Sequence, residues 1–225
     1  IEIGPGEGVL TRPLLEAGAR VTAIELDRDL AATLPERLEF PERLAVLQAD
    51  VLQVDAATLA APASGLRVVG NLPYNISTPI MFHLFQWRDS ISDMHFMLQK
   101  EVVDRLVAGP GSKQYGRLSV MAAFHCRTER LFNVPPGAFR PPPKVDSAIV
   151  RLVPKRLDAE TLARLPQLEE VVRRAFGQRR KTLRNALKGA LDEAAIAAAV
   201  VDPKARAETL SLYQYLALAN RLGGG

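Results

Sequence analysis

Apolar residues in the first two thirds of the chain come as short runs rich in Val, Ile and Leu, separated by stretches with helical spacing. Ile1–Ile3 reads as the end of a strand, and a glycine cluster follows at once. Val9, Leu10, Leu14 and Leu15 then recur at helical intervals up to Gly18, a helix-stop signal. Strand-like runs follow at Arg20–Glu25, Leu44–Leu47, Arg67–Gly70 and His95–Leu98, with helical patterns at Asp29–Leu38 and Thr78–Phe85. Strands that alternate with helices predict an α/β fold with a doubly wound parallel sheet. Two further β-rich runs, Leu118–Phe124 and Ser147–Val153, are separated by the proline-rich stretch Val134–Pro143. They predict an antiparallel pair at one edge and bring the expected strand count to seven.

Beyond Pro154 the pattern changes to alanine- and leucine-rich segments of helical period: Leu162–Ala175, Thr182–Leu191, Glu193–Val200 and Ser211–Leu222. The expected division is therefore an α/β domain over 1–154 and a small all-helical domain over 155–225. Placing residues 100° apart, Val172, Phe176, Leu183, Leu187 and Ala190 share one arc, and Arg173, Arg180, Arg184 and Lys188 share another. Arg179 would fall on the apolar side of one continuous helix, so a break is expected near Gly177.

Composition adds the setting. With 225 residues, 48% of them apolar, and a single cysteine, Cys126, the chain has no internal disulfide and no apolar run long enough for a membrane span. A reducing cytoplasmic setting is the default, and Cys126 reads as a buried thiol. The charge is uneven: residues 1–150 hold 15 basic and 17 acidic residues, and residues 151–225 hold 14 and 8. Arg173, Arg174, Arg179, Arg180, Lys181, Arg184 and Lys188 lie in one segment without an acid. Such density suits a polyanion, and it also suits a plain solvated helix face. His83, His95 and His125 lack metal-ligand spacing, and the first two sit in apolar patterns that suit packing.

Gly4, Gly6 and Gly8 fall between a strand and a helix, where missing Cβ atoms let backbone approach a ligand or simply turn. The G-x-G-x-G spacing places Val9 where the dinucleotide fingerprint continues to its third glycine, which disfavours a nicotinamide dehydrogenase. Glu25, 21 residues after Gly4, ends the second strand where such folds place an acid for a ribose diol. Asp50 ends the third strand, as an acceptor for an adenine amine or as a helix N-cap. Three strand ends converging on one crevice point to an adenosine-bearing cofactor.

The segment Gly70-Asn71-Leu72-Pro73-Tyr74-Asn75-Ile76-Ser77 is the most specific. The exocyclic amine of adenine is a poor nucleophile, because its lone pair is delocalised into the ring. Acceptors aimed at both its N–H bonds favour the less conjugated geometry that attacks a methyl group, and the Asn71 side chain with the Leu72 carbonyl can supply them. Pro73 stiffens the turn, and Tyr74 offers a face on which an extruded base can stack.

These segments, together with Glu2–Thr11, Ala23–Leu30, Met94–Val120, Phe139–Leu152 and Phe176–Leu187, resemble the ribosomal RNA adenine dimethyltransferase family over essentially the whole chain, most closely its small-subunit branch. The resemblance implies a seven-stranded S-adenosylmethionine-dependent, Rossmann-like methyltransferase domain with a small helical C-terminal domain. It implies cofactor contacts at Glu2, Gly4, Gly6, Gly8, Glu25, Leu26, Asp50, Val51 and Asn71. The target adenine would meet Asn71, Leu72, Pro73, Tyr74 and a second aromatic, Phe139. The basic residues Arg180, Lys181, Arg184 and Lys188 would bind rRNA of the assembling small (30S) subunit, with the chain acting as a monomer. The reaction needs no metal and no covalent nucleophile. A Gln-Asn-Phe-Leu-like segment precedes the glycine motif in the family and is absent from this sequence, so a missing N-terminal segment is expected. Three other readings stay open: the large-subunit branch, a DNA adenine methyltransferase, and a non-catalytic assembly or transcription factor of the same fold.

Overall fold

A computed structural model of the chain describes residues 1–59 and 65–222. Seven strands, β1 (Glu2–Ile3), β2 (Val21–Glu25), β3 (Leu44–Gln48), β4 (Leu66–Asn71), β5 (Ile91–Gln99), β6 (Cys126–Val134) and β7 (Ser147–Pro154), form one sheet. Their order is β3-β2-β1-β4-β5-β7-β6. The pairs β1–β2, β1–β4, β2–β3 and β4–β5 are parallel, and β7 runs antiparallel to β5. The chain winds one way from β1 to β2 and β3, and the other way to β4 and β5. This makes the carboxyl ends of β1 and β4 the switch point where ligands settle in such sheets.

Helices α1 (Thr11–Glu16), α2 (Arg28–Leu38) and α3 (Ser77–Gln86) are the crossovers between parallel strands, and α4 (Lys100–Leu106) follows β5. Asp27 starts α2 by accepting hydrogen bonds from the Asp29 and Leu30 amides. Leu15 of α1 and Leu34 and Leu38 of α2 form a buried cluster with Val21 and Ala23 of β2. Each such leucine contributes about 1.5–3 kcal/mol through burial. The cluster fixes where the glycine-rich turn leaves β1.

The expected strand at Leu118–Phe124 is instead a helix, α5 (Arg117–His125), and the strand β6 begins directly after it. Leu118, Ser119, Val120, Met121, Ala122 and Phe124 are all buried, so the segment carries no period that separates helix from strand. Gly116 donates its amide to the Ser119 hydroxyl, which in turn donates to the Arg105 carbonyl, and this closes the first turn. The strand that follows, Cys-Arg-Thr-Glu-Arg-Leu-Phe-Asn-Val, is an edge strand of the sheet and is mostly exposed, so its polar sequence hides it.

The chain divides into two compact units, 1–103 with 129–154, and 104–128 with 155–225. The expected two-domain division assigned 104–128 to the first domain, but this segment packs with the second unit. The reason lies in buried apolar surface: Tyr115 and the residues of α5 supply one wall of the helical core. The second unit also contains α6 (Ala159–Ala163), α7 (Leu165–Gly177), α8 (Leu183–Ala186), α9 (Glu193–Ala198) and α10 (Leu212–Leu222). In it α7 packs against α5 and α10. Phe176 stacks on Tyr215 and meets Tyr115 edge-on, while the two tyrosine hydroxyls donate to the Ala207 and Leu210 carbonyls. The expected helix over Thr182–Leu191 is only the single turn α8, because Gly189 turns the chain at φ +83°. The expected break is found at the end of α7, at Gly177. Among the described residues no helix is long and apolar enough to cross a membrane.

Candidate active site

The glycine turn leaves β1 with Gly4 at φ +64° and Gly6 at φ +57°, a left-handed backbone that side chains rarely adopt. The space a Cβ would enter at either position is open. Glu25, buried at the end of β2, holds this turn. One carboxylate oxygen accepts from the Gly6 amide at 3.1 Å and the other from the Asp27 amide at 3.0 Å. Its first role in this structure is therefore to shape the loop. Gly8 differs from its neighbours, since a Cβ there would come within 3.0–3.1 Å of Leu34 and Leu38. It is a packing glycine against α2.

A cavity of about 530 Å³ opens where β1 and β4 end, and it brings together Glu2, Gly4, Gly6 and Asn71 of the expected set. Glu2 is 2% exposed, and its Oε2 has no hydrogen-bond partner. Burial pushes its carboxyl pKa up against the opposing pull of Thr11, and the neighbouring Glu25 charge adds to the rise. An unpaired buried carboxylate oxygen in a cavity wall favours a cationic or N–H-donating guest. S-adenosylmethionine, with a sulfonium and an ammonium, fits that requirement, and Gly4 and Gly6 give it room against backbone.

The other expected cofactor residues lie along the same strand ends but outside the cavity lining. Leu26 follows Glu25 and is 63% exposed, Val51 is buried, and Asp50 accepts from the Leu52 amide at 2.9 Å as the cap of a short turn. The N-cap alternative for Asp50 is thus what its side chain does here. Asn71 ends β4 exposed and opposite Met97 of β5, and the Leu72 amide donates to the Met97 carbonyl at 3.2 Å. Tyr74 is half-buried, with its hydroxyl 2.8 Å from Ser147 Oγ. Phe139 is half-buried in the loop before β7.

The sequence matches the family Ribosomal RNA adenine dimethylase over residues 1–223. The chain belongs to the ribosomal RNA adenine dimethylase family. It is 59% identical to the ribosomal RNA small subunit methyltransferase A of Methylococcus capsulatus, over 99% of this chain and 86% of that protein. Among solved structures it resembles a dimethyladenosine transferase from Plasmodium falciparum, with TM-score 0.76, 26% identity and coverage of 96% and 86% of the two chains. It also resembles the 23S rRNA methyltransferase ErmE, with TM-score 0.72, 29% identity and coverage of 98% and 89%. The seven-stranded fold is thus the methyltransferase fold that the family resemblance implied.

Several cavity residues carry no functional signal in the sequence. Phe132, 58% exposed, lines the cavity from β6, the strand whose position the pattern missed. Met97 and Ile149 line it from β5 and β7 and oppose each other in register. His95 also lines it, with Nδ1 3.8 Å from Asp93. Burial lowers the His95 pKa against the pull of Asp93, which favours a neutral ring. His83 meets the packing expectation, since its Nε2 lies 2.9 Å from the Val54 carbonyl.

The basic segment separates into two sets. Arg173 and Arg174 both pair with Glu170, and Arg179 pairs with Glu208 while donating to the Lys113 carbonyl. The first two pair along α7 itself, and Arg179 joins separate segments of the helical unit. Arg180, Lys181, Arg184 and Lys188 are exposed, and among the described residues the one ion pair in this set is Arg184 with Glu193, at 3.9 Å.

Proposed function

We propose that the chain transfers methyl groups from S-adenosylmethionine to N6 of two adjacent adenines near the 3′ end of small-subunit rRNA, giving N6,N6-dimethyladenosine during cytoplasmic subunit maturation. The observation that carries this reading is that Asn71, at the end of β4, shares one cavity with Glu2 and the open glycine turn. A base acceptor group and a cationic-cofactor site thereby face the same space. The 59% identity to a protein named for small-subunit rRNA supports this substrate over the large-subunit one.

Bound S-adenosylmethionine would supply an electrophilic methyl on its sulfonium. Glu2, Gly4 and Gly6 would hold it, with Leu26, Asp50 and Val51 along the neighbouring strand ends toward its adenosine. Asn71 Oδ1 and the Leu72 carbonyl accept from the N6–H bonds of the target base, which keeps the lone pair on nitrogen available. Pro73 fixes the turn, and Tyr74 and Phe139 supply aromatic faces for a base taken out of its stack. Since the methyl is already activated, the protein's work is alignment and desolvation. Arg180, Lys181, Arg184 and Lys188 contact phosphates, which position the RNA without reading its sequence.

The test is transfer of labelled methyl to small ribosomal subunits that lack the modification. Label recovered as dimethyladenosine with the protein, and lost with Asn71→Ala, supports the reading. Subunit binding without transfer overturns it in favour of a non-catalytic factor, and label on large subunits or duplex DNA overturns the substrate.

A further inference from the structure

We infer that Ser147 is a positioning residue for the reaction, holding the Tyr74 ring in the orientation that receives the target adenine; this rests on the function proposed above. Ser147 opens β7, is fully buried and pairs in register with Gln99 of β5. The residue before it is also fixed, because the Asp146 carbonyl accepts from the Lys100 amide at 2.9 Å. Its hydroxyl therefore stands on rigid sheet, at the point where the proline-rich loop carrying Phe139 rejoins the fold.

Tyr74 sits in the turn after β4, 73 residues away in sequence, and its hydroxyl lies 2.8 Å from Ser147 Oγ, where either group can donate. The other end of the residue is held as well. Ser77 Oγ donates to the Tyr74 carbonyl at 3.3 Å, and the Ile76 amide donates to the Pro73 carbonyl at 3.2 Å. A ring fastened at its backbone and at its tip presents a fixed face. Swinging it away would leave a fully buried serine hydroxyl without its partner, which opposes the motion.

This arrangement gives the tyrosine a reason that stacking alone does not, since a phenylalanine would offer the same face without the tether. It also ties together the two segments that bring aromatics to the base. The tether should matter more for the second methyl than for the first. N6-methyladenine has one N–H left, so it makes one fewer hydrogen bond to Asn71 or the Leu72 carbonyl, and its placement depends more on the aromatic wall.

The experiment compares the protein with Ser147→Ala, Tyr74→Phe and the double variant, using small subunits lacking the modification and labelled S-adenosylmethionine. We expect each single variant to lower kcat about three- to tenfold, with KM for the cofactor near that of the parent and with N6-methyladenosine accumulating over the dimethylated product. The double variant should be no worse than either single one, because both remove the same bond. Additive losses, an unchanged kcat and product ratio, or a fall in cofactor affinity parallel to a fall in stability would each overturn the inference. Tyr74→Phe leaves the buried serine in place, so it remains informative where Ser147→Ala folds poorly. If the parent protein itself transfers no label, the proposed function has failed. If the parent transfers and Asn71→Ala does not, indifference to Ser147→Ala removes only the positioning role.

Discussion

The cavity in the first unit and the basic surface of the second handle charge in opposite ways. In the cavity the Glu2 carboxylate is almost wholly buried with one oxygen unpaired. The glycine turn is fixed by hydrogen bonds to Glu25, and Asn71 stands at the end of a paired strand. Groups held this way act strongly, because they reorganise little when the ligand arrives. In the second unit Arg180, Lys181, Arg184 and Lys188 stand exposed, where salt screens each of them. Chemistry and cofactor choice thus depend on a few fixed groups, while affinity for a polyanion depends on many weak ones.

The sharpest way to break this contrast is Asn71→Ala. Removing one preorganised polar group should lower methyl transfer by about 10²-fold or more, with cofactor binding changed far less, as read by single-turnover transfer and by titration of S-adenosylmethionine. A variant that keeps its rate would move the chemistry away from the end of β4. Glu2→Gln comes next. Losing a charge-assisted contact should weaken the cofactor about tenfold or more. The parent's affinity should fall on acidification at a pH above the ordinary glutamate value of 4.5, because burial raises this carboxyl and its protonation removes the charge. The variant's affinity should be flat over that range, and isothermal titration across pH checks both.

How far each region could be read from the sequence follows the same division. Gly4, Gly6 and Asn71 were visible because loop glycines and strand-end polar groups stand out from an apolar strand pattern. Glu25 was visible as an acid but not as the clasp of the turn, since a carboxylate–amide contact across 19 residues leaves no local trace. The Tyr74–Ser147 contact was hidden for the same reason, and Phe132 because its exposed edge strand does not alternate. The helix α5 resembles a strand in sequence, since burial on every side erases periodicity. In the basic segment the count of cations was legible, but the pairing of Arg173, Arg174 and Arg179 to Glu170 and Glu208 was not. That pairing sets the other three apart from the four expected to contact RNA.

The surface half of the contrast is sharpened by replacing Arg180, Arg184 and Lys188 together with alanine. If they contact phosphates, RNA affinity should fall and the slope of log affinity against log salt should shrink by about two to three units, while S-adenosylmethionine binding is unaffected. Filter binding at several salt concentrations checks this. An unchanged slope would return these residues to an ordinary solvated face.

The smallest effect should come from Val200, which shows how much local strain the helical unit tolerates away from its core. The expected helix Glu193–Val200 ends two residues early, at Ala198, and Val200 adopts φ +59° with 89% exposure. The Val200 amide donates to the Ala197 carbonyl at 2.9 Å and the Val201 amide to the Ile196 carbonyl at 3.3 Å, with Val201 buried beneath the turn. This is the glycine-type helix stop built with a β-branched residue at the left-handed position, so the sequence carried no stop signal there. The left-handed backbone costs a side-chain-bearing residue about 1–2 kcal/mol, and glycine returns part of that as unfolded-chain entropy. Val200→Gly should therefore stabilise by about 0.5–1 kcal/mol, raising Tm by roughly 1–4 °C for a chain of this size, with methyl transfer and RNA affinity unchanged. A Tm that does not rise would mean that the exposed Val200 side chain makes contacts that offset its strained backbone.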